Sequence, residues 1–232
     1  MFNMKIDLHS HTHYSHCGQD EPEKLILNMI EKGVETFGIC DHNYGIGDRE
    51  ESYLKEIRHL QKKYADKIKI FCGIEICTRP GLEPLDGKTY SEYDYCLIED
   101  LDNPSSVMKG DIISYTKNFE CCVGIAHTDL FKFISDKKLD CKKYLKDLAA
   151  ANIFWELNVN YDSIHRYREH EYLKEFFKNE FQQKMVKESG LCVSVGFDGH
   201  RLEEYDVDRV EKANRMIYSA NIINAVNMLK QK

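Results

Sequence analysis

The stretch Asp7-Leu8-His9-Ser10-His11-Thr12-His13-Tyr14-Ser15-His16 contains four of the chain's ten histidines within eight residues. It begins inside a short apolar run over residues 5–9 that is typical of a β-strand. Side chains two residues apart in a strand point to the same face, so His9 and His11 can present two imidazoles to a single ion. The stretch therefore predicts a metal site at the carboxyl end of the first strand.

Candidate metal ligands also follow or end four further apolar runs. They are Asp41 and His42 after residues 36–40, Glu75 within 68–76, His127 at the end of 122–127, and Asp198 and His200 after 192–197. The carboxyl ends of the parallel strands of a barrel meet on one face. Five strand ends that each carry an imidazole or a carboxylate therefore predict one shared coordination set.

The order of the elements predicts the fold class. Strand-like runs over 5–9, 36–40, 68–76, 93–98, 122–127, 153–158 and 192–197 alternate with helical patterns over 21–32, 50–64, 105–119, 142–151, 171–189 and 203–229. This alternation predicts a parallel sheet, and about seven repeats favour a closed (β/α) barrel, with an open doubly wound sheet as the alternative. Residues 78–92 are predicted to be one long loop, and Gly33 and Gly190 are predicted to cap helix C-termini. Residues 1–232 are expected to form one domain, because no linker divides them.

Composition excludes several classes of protein. The formal net charge of −7 argues against a surface that binds nucleic acid or anionic lipid, since such a surface needs an excess of Lys and Arg. No run of sequence approaches the roughly 18 apolar residues of a membrane span, and the first residues do not resemble a signal peptide, so a cytoplasmic protein is expected. The nine cysteines include no C-x-x-C pair, which indicates reduced thiols rather than a structural zinc site.

Six short motifs occur in one order across nearly the whole chain. They are Asp7-x-His9-x-His11-Thr12, Asp41-His42-Asn43, Gly73-Ile74-Glu75, Ala126-His127, Glu156-Leu157-Asn158 and Gly196-Phe197-Asp198-Gly199-His200. Through them the chain resembles the polymerase and histidinol phosphatase (PHP) family. The resemblance implies a distorted TIM-like barrel of seven strands and seven helices, a centre of two or three divalent metal ions, and hydrolysis of phosphate esters.

The resemblance also implies a ligand set. The implied ligands are His9, His11, Glu75 and Asp198 for one ion, His42, His200 and His16 for a second, and Glu75, His127 and Glu99 for a third. His16 stands where the family usually has an Asp or a His. The family commonly has a His where this chain reads Glu99-Asp100-Leu101, so either carboxylate could substitute, and occupancy of the third site is left open. Imidazole and carboxylate ligands without thiolate suit Zn, Mn or Fe better than Mg or Ca.

The resulting hypothesis is hydrolysis by a hydroxide that bridges the ions, with His9, His11, His42, Glu75, Asp198 and His200 as the catalytic set. Arg201 and Arg166 would orient the phosphate, while Arg79 and Arg168 are weaker candidates. A small phosphomonoester is the favoured substrate, and histidinol phosphate is one candidate through the family. The alternatives are a phosphodiesterase of nucleotides or short oligonucleotides and a metal-binding module without catalysis. Nothing in the sequence indicates the oligomeric state.

The other histidines are assigned simpler roles. His13 is expected to lie outside the ligand set, and His59, His165 and His170 are expected to be surface groups. Asp7 shares a strand face with His9, but a structural role is favoured over metal binding.

Overall fold

Seven parallel strands form one sheet that follows the order of the sequence. A computed structural model describes residues 4–84 and 87–232. The strands are β1 (Ile6–Asp7), β2 (Thr36–His42), β3 (Lys69–Ile76), β4 (Tyr95–Ile98), β5 (Cys122–Ile125), β6 (Ile153–Asn158) and β7 (Val193–Gly196). The last strand returns to the first, because Leu8 N donates to Val195 O at 2.9 Å and Asp198 N donates to His9 O at 2.7 Å. The predicted barrel is therefore confirmed, and the barrel is nearly closed.

Helices connect the strands and surround the barrel. They are α1 (Pro22–Glu31), α2 (Asn43–Ile46), α3 (Glu50–Lys63), α4 (Ile112–Tyr115), α5 (Leu130–Asp136), α6 (Cys141–Ala150), α7 (Glu171–Lys178), α8 (Glu180–Ser189) and α9 (Val207–Ser219). Gly33 and Gly190 follow α1 and α8 with φ of 71° and 76°, left-handed values that let the chain leave a helix at little steric cost. Within the described part of the chain, no helix has the length and apolar character needed to cross a membrane.

Three predicted helices differ from the observed ones. The pattern over 105–119 forms only the short helix α4. The pattern over 171–189 is split at Asn179, whose ψ of 94° is extended and whose side chain caps α8 by accepting from Gln182 N. The final pattern over 203–229 contains α9, which ends at Ser219, followed by a 3₁₀ turn at Ala225–Asn227. Helix α5 is absent from the predicted elements, although Asp129 caps it by accepting from Lys132 N. The predicted loop over 78–92 contains neither helix nor strand in its described residues, and Leu85 and Asp86 lie outside them.

Side chains alternate between the inside and the outside of the barrel along each strand. On β3, Ile70, Cys72 and Ile74 join the large outer core between strands and helices, while Phe71 joins a smaller inner core. The inner core also contains Leu8, Cys40, Tyr95, Leu97 and Phe154, and Ala225 and Leu229 from the end of the chain. Glu75 lies four residues after Phe71 and so continues the inner face toward the carboxyl end of the strand.

Candidate metal centre

Glu75 lies at the middle of a buried cluster at the carboxyl ends of the strands. Its Oε2 atom is 2.9 Å from His42 Nδ1, 3.3 Å from His9 Nε2 and 3.4 Å from His11 Nε2. Its other oxygen, Oε1, is 2.9 Å from His127 Nε2. One carboxylate is thus shared by four imidazoles, two from the segment after β1 and one each from the carboxyl ends of β2 and β5. The structure brings these five predicted residues together.

Asp198 occupies the other side of the two central imidazoles. Its Oδ1 atom is 3.0 Å from His11 Nε2, 3.6 Å from His9 Nε2 and 3.8 Å from His200 Nε2. The residue has a φ of 57°, an uncommon backbone conformation outside glycine, and its N–H is bonded to His9 O. The closure of the barrel therefore holds Asp198 beside the first strand, and the structure adds it and His200 to the cluster.

Glu156 fixes the orientation of His9. Its Oε1 atom is 2.7 Å from His9 Nδ1, and its Oε2 atom accepts the backbone N–H of His127 at 2.8 Å. Both oxygens of this fully buried carboxylate are thereby used. When His9 Nδ1 carries the proton that it donates to Glu156, Nε2 is free to bind a cation. Glu156 belongs to one of the sequence motifs, but the ligand set did not include it.

Glu99 extends the cluster beyond β4. A carboxylate oxygen of Glu99, a carboxylate oxygen of Glu75 and a ring nitrogen of His127 all lie within 4.8 Å of one another. Glu99 Oε1 is also 3.8 Å from His42 Nδ1. Burial raises the pKa of Glu99, and the carboxylate of Glu75 raises it further. The structure therefore places Glu99 beside His127, as the sequence hypothesis requires of a third site.

The structure does not bring His16 into the cluster. Its side chain is exposed, and no hydrogen bond or ion pair joins it to another described residue. The reason is the turn before it, in which buried Asp41 accepts from the backbone N–H groups of Thr12 and Ser15 and from both of their hydroxyls. The side chain that follows on the inner side is Cys17, which groups with the ring nitrogens of His11 and His200.

His165 was expected to be a surface group, and that expectation is wrong. Its Nε2 atom is 3.2 Å from Asp198 Oδ2, and its Nδ1 atom is 2.7 Å from Oδ1 of buried Asp162. The loop after β6 turns back toward the cluster through Arg166 and Tyr167, with φ of 56° and 52°. Because this contact depends on loop conformation rather than on a strand end, the strand pattern could not reveal it.

The remaining histidines lie away from the central contacts. His13 Nδ1 is 3.2 Å from Glu21 Oε2, and His59 is exposed on α3. His170 is half-buried rather than exposed, with Nε2 3.2 Å from Asn160 Nδ2, so its assignment as a surface group is also wrong.

Asp7, the buried last residue of β1, supports the cluster through four hydrogen bonds. It accepts hydrogen bonds from the backbone N–H of His9 at 3.0 Å, the Ser10 hydroxyl at 3.0 Å, the backbone N–H of Phe197 at 2.9 Å, and the Tyr205 hydroxyl. Burial raises the pKa of Asp7 to about 6, although these hydrogen bonds oppose the shift. The contacts with Phe197 and Tyr205 connect the first strand to the segment after the last one, so Asp7 stabilises the closure of the barrel.

The carboxylates of the cluster favour positive charge on most of its histidine rings, whereas burial and the neighbouring rings lower the pKa of His11 to about 3. Burial alone would lower the pKa values of His42, His127 and His200, but the facing carboxylates raise them to about 11, 9 and 10. Burial would raise the pKa of Glu75, but the rings of His42 and His9 hold it well below its ordinary value. Positive charge is therefore favoured between these groups, and a metal ion can replace the protons.

The donor atoms also have the spacing of metal ligands. Two nitrogen or oxygen ligands about 2.0–2.2 Å from a tetrahedral zinc ion lie roughly 3.3–3.6 Å apart. The contacts that join the rings of His9 and His11 with each other, with Glu75 and with Asp198 measure 3.0–3.6 Å. Oε2 of Glu75 and Nδ1 of His42 are buried and lack a well-formed hydrogen bond, although they approach each other closely. The residues therefore fit a site for divalent cations.

The two arginines proposed to bind phosphate follow residues of the cluster. Arg201 comes directly after His200 and is half-buried, and its Nε atom is buried without a hydrogen-bond partner in the described part of the chain. Arg166 comes directly after His165 and is exposed, as is Arg168. Arg79 instead pairs with Asp100, with Nε 2.9 Å from Oδ2. Arg201 differs from Arg166 in that its unpaired donor is buried rather than exposed.

A family model described as the PHP domain matches residues 7–219. The chain belongs to the PHP family. A histidinol-phosphatase of Lactococcus lactis subsp. lactis (strain IL1403) is 31% identical over 80 residues, which are 31% of this chain and 29% of that protein. The chain therefore matches less than a third of the length of this curated relative.

Solved structures resemble the whole PHP barrel. The crystal structure of histidinol phosphate phosphatase from the same organism, in complex with zinc, L-histidinol and phosphate, has a TM-score of 0.64 at 18% identity and covers 95% of each chain. A chain in the structure of an archaeal ribonuclease P with mature tRNA has a TM-score of 0.51 at 13% identity, over 92% of this chain and 89% of that one. At these identities the likeness shows the fold.

One glycine of this PHP domain makes room for the cluster. A Cβ atom at Gly196, on the inner face of β7, would lie 2.0 Å from Glu156 Oε1 and 2.6 Å from His9 Cβ. In a Gly196→Ala variant, the side chains of Glu156 and His9 must therefore move away from β7. The substitution is expected to lower the free energy of unfolding by about 1–3 kcal/mol and to weaken metal binding by roughly 10–100-fold. Denaturant titration and metal titration measure these effects.

Ser194→Ala is the matched control for Gly196→Ala, since Ser194 is buried two residues earlier on the same face of β7 and its hydroxyl has no hydrogen-bond partner within residues 4–84 and 87–232. Equal metal affinity in the Gly196→Ala variant and the wild-type protein would show that the packing of Glu156 against this strand is unimportant.

Proposed function

We propose that this chain is a metal-dependent phosphoesterase that hydrolyses small phosphate monoesters at a centre of two or three divalent ions. The observation that carries the proposal is the convergence of the ring nitrogens of His9, His11 and His42 within 3.4 Å of one carboxylate oxygen of Glu75. This arrangement lies at the carboxyl end of a PHP barrel, the end where barrel active sites form.

The ligand types indicate which ions the centre would hold. His9, His11, Glu75 and Asp198 would hold one ion, and His42 and His200 would contribute to a second. His127 and Glu99 would hold a third ion, and Glu75 would lie between this ion and the first one. Imidazole together with carboxylate suits Zn, Mn or Fe. When bound, such ions act as Lewis acids that activate water and neutralise charge on the phosphoryl oxygens.

The residues around the cluster keep its donor atoms in place. Glu156 holds the Nδ1 side of His9, so that Nε2 faces Glu75 and Asp198. Asp162 holds the Nδ1 side of His165 and thereby directs Nε2 to Asp198 Oδ2. Fixed orientation matters because donor groups that are already in position need no reorganisation when charge develops in the transition state.

Arg201 is assigned to the phosphate of the substrate. A guanidinium can donate two parallel hydrogen bonds to a phosphate, and the buried Nε of Arg201 has no partner among the described residues. Arg166, on the loop that carries Asp162 and His165, is the second arginine that we assign to the phosphate.

Arg201→Ala is expected to lower kcat/KM by roughly 10–100-fold, since a charge-assisted hydrogen bond contributes about 1.5–3 kcal/mol. Metal content should stay at the wild-type value, because Arg201 is not a metal ligand. Steady-state kinetics on a phosphomonoester, with elemental analysis of the same samples, measures both quantities. Lys55→Ala, which removes an exposed cation from α3, is the control. An unchanged kcat/KM in the Arg201→Ala variant would remove Arg201 from the phosphate site.

Histidinol phosphate is the first substrate to test. The relative that is 31% identical over 80 residues is a histidinol-phosphatase, and the structural neighbour with a TM-score of 0.64 contains L-histidinol and phosphate. The net charge of −7 favours a small ester over a long nucleic acid.

The direct test is a panel of phosphate esters offered to the protein loaded with zinc or manganese. The panel contains histidinol phosphate, other small monoesters, nucleotides and a short oligonucleotide, and the His9→Ala, His11→Ala double variant is the control. Turnover of a monoester above that control is the expected result. Turnover of only the diesters would favour the phosphodiesterase alternative. The absence of turnover on every ester, with metal bound, would favour a non-catalytic module.

A further inference from the structure

Cys17 faces the imidazoles of the candidate metal centre. Its sulfur and the ring nitrogens of His11 and His200 all lie within 4.8 Å of one another. The thiol also contacts the ring of His42. Three imidazoles from the segment after β1, from the end of β2 and from the segment after β7 therefore surround one sulfur atom.

A second observation concerns His200 itself. The residue is 5% exposed, its Nδ1 atom lies 3.7 Å from Oδ2 of buried Asp162, and its Nε2 atom lies 3.8 Å from Asp198 Oδ1. A carboxylate on the Nδ1 side of an imidazole leaves Nε2 to bind a metal ion. His16, which the family resemblance placed at this ion, is exposed and supplies no ligand atom to the group.

We propose that the Cys17 thiolate binds the second ion of the centre, the one to which His42 and His200 would contribute. The inference concerns the same centre as the proposed function and rests on that centre binding metal. A tetrahedral zinc ion that is bound by cysteine sulfur at about 2.3 Å and by histidine nitrogen at about 2.0–2.1 Å holds these two atoms roughly 3.5 Å apart. The sulfur of Cys17 and a ring nitrogen of His200 already lie within 4.8 Å of each other.

A thiolate changes which ion the site selects. Soft sulfur ligands favour zinc and iron, whereas manganese and magnesium favour oxygen ligands. The two halves of the centre then differ in character, because the group formed by Glu75, Glu99 and His127 contains two carboxylates and no sulfur. Zinc is therefore expected at the Cys17 position, and manganese is expected to compete there poorly.

The other cysteines have surroundings that indicate packing. Cys40, Cys72, Cys77 and Cys96 are buried in or directly after the barrel strands. Cys192 is half-buried before β7, where it lies outside each of the ligand groups described above. Cys192→Ser is therefore a matched control for Cys17→Ser.

The experiment is X-ray absorption spectroscopy of the zinc-loaded protein, with cobalt substitution as an independent readout. Wild type and Cys192→Ser are expected to show a sulfur neighbour at about 2.3 Å from zinc and a thiolate-to-cobalt charge-transfer band. Cys17→Ser is expected to lose both signals and to bind zinc at least roughly tenfold more weakly. Cys17→His, which restores a ligand, is expected to lose the sulfur signals and to retain zinc.

The absence of a sulfur neighbour in the wild-type protein, or its persistence in Cys17→Ser, would overturn the proposal. Should Cys17→Ser fail to fold, Cys17→His and the wild type still decide the question. The ester panel separates this inference from the proposed function. Turnover without a sulfur neighbour refutes only the thiolate ligand, whereas a sulfur neighbour without turnover refutes only the catalytic role.

Discussion

Glu75→Gln is expected to lower kcat/KM for phosphate ester hydrolysis by about a thousandfold, because Lewis-acid stabilisation contributes several kcal/mol and each 1.36 kcal/mol is a factor of ten. Glu75 contacts four imidazoles, three through Oε2 and one through Oε1. Glutamine keeps the shape of the side chain but removes the negative charge and one acceptor. Bound metal is therefore expected to fall together with activity, which steady-state kinetics and elemental analysis measure on the same preparation.

Glu35→Gln is the control for this substitution. Glu35 is exposed just before β2, at the opposite end of the barrel from the cluster. A Glu75→Gln variant that keeps wild-type activity and metal content would show that the shared carboxylate does not hold the ions, whatever its position among the imidazoles.

Removing the ions with a chelator is expected to abolish turnover and to lower Tm by roughly 5–10 °C. A ligand present at a hundred times its Kd stabilises the folded state by about 2.7 kcal/mol, and in a domain of this size each kcal/mol shifts Tm by about 2–4 °C. The structural reason is the density of buried ionisable groups in the cluster, which a cation neutralises. Thermal unfolding before chelation, after chelation and after zinc is restored measures the shift.

Glu75→Gln again provides a matched comparison, since a protein that has already lost its ions should show little further change on chelation. Full activity and an unchanged Tm in metal-free wild-type protein would contradict the account.

The barrel was predictable because its strands are buried on both faces. Such strands read as short apolar runs, and the run over 153–158 coincides with β6. Helix boundaries were less accessible, because local signals compete there. Asn179 lies within an amphipathic pattern that predicts one helix over residues 171–189. Its side chain instead caps the N-terminus of α8 and so divides the predicted helix in two.

The site was predictable where it is made by strand ends. Glu75 and His42 follow inward-facing positions of β3 and β2, so the alternation of the strands alone directs them to the barrel axis. Cys17 and His165 instead reach the cluster through turns whose conformation depends on contacts distant in sequence, such as those of Ser15 with Asp41 and of Ser163 with Glu204. For Cys17 the available signal was a cysteine at the end of a histidine-rich segment, and only the structure separates it from exposed His16.

Anomalous diffraction from zinc-soaked crystals tests the central claim most directly, because it locates the ions without reference to activity. The account predicts a zinc peak about 2.0–2.2 Å from ring nitrogens of His9 and His11 and from carboxylate oxygens of Glu75 and Asp198, with a further peak toward His200. Zinc peaks confined to the protein surface, with none in contact with Glu75 or Asp198, would contradict it.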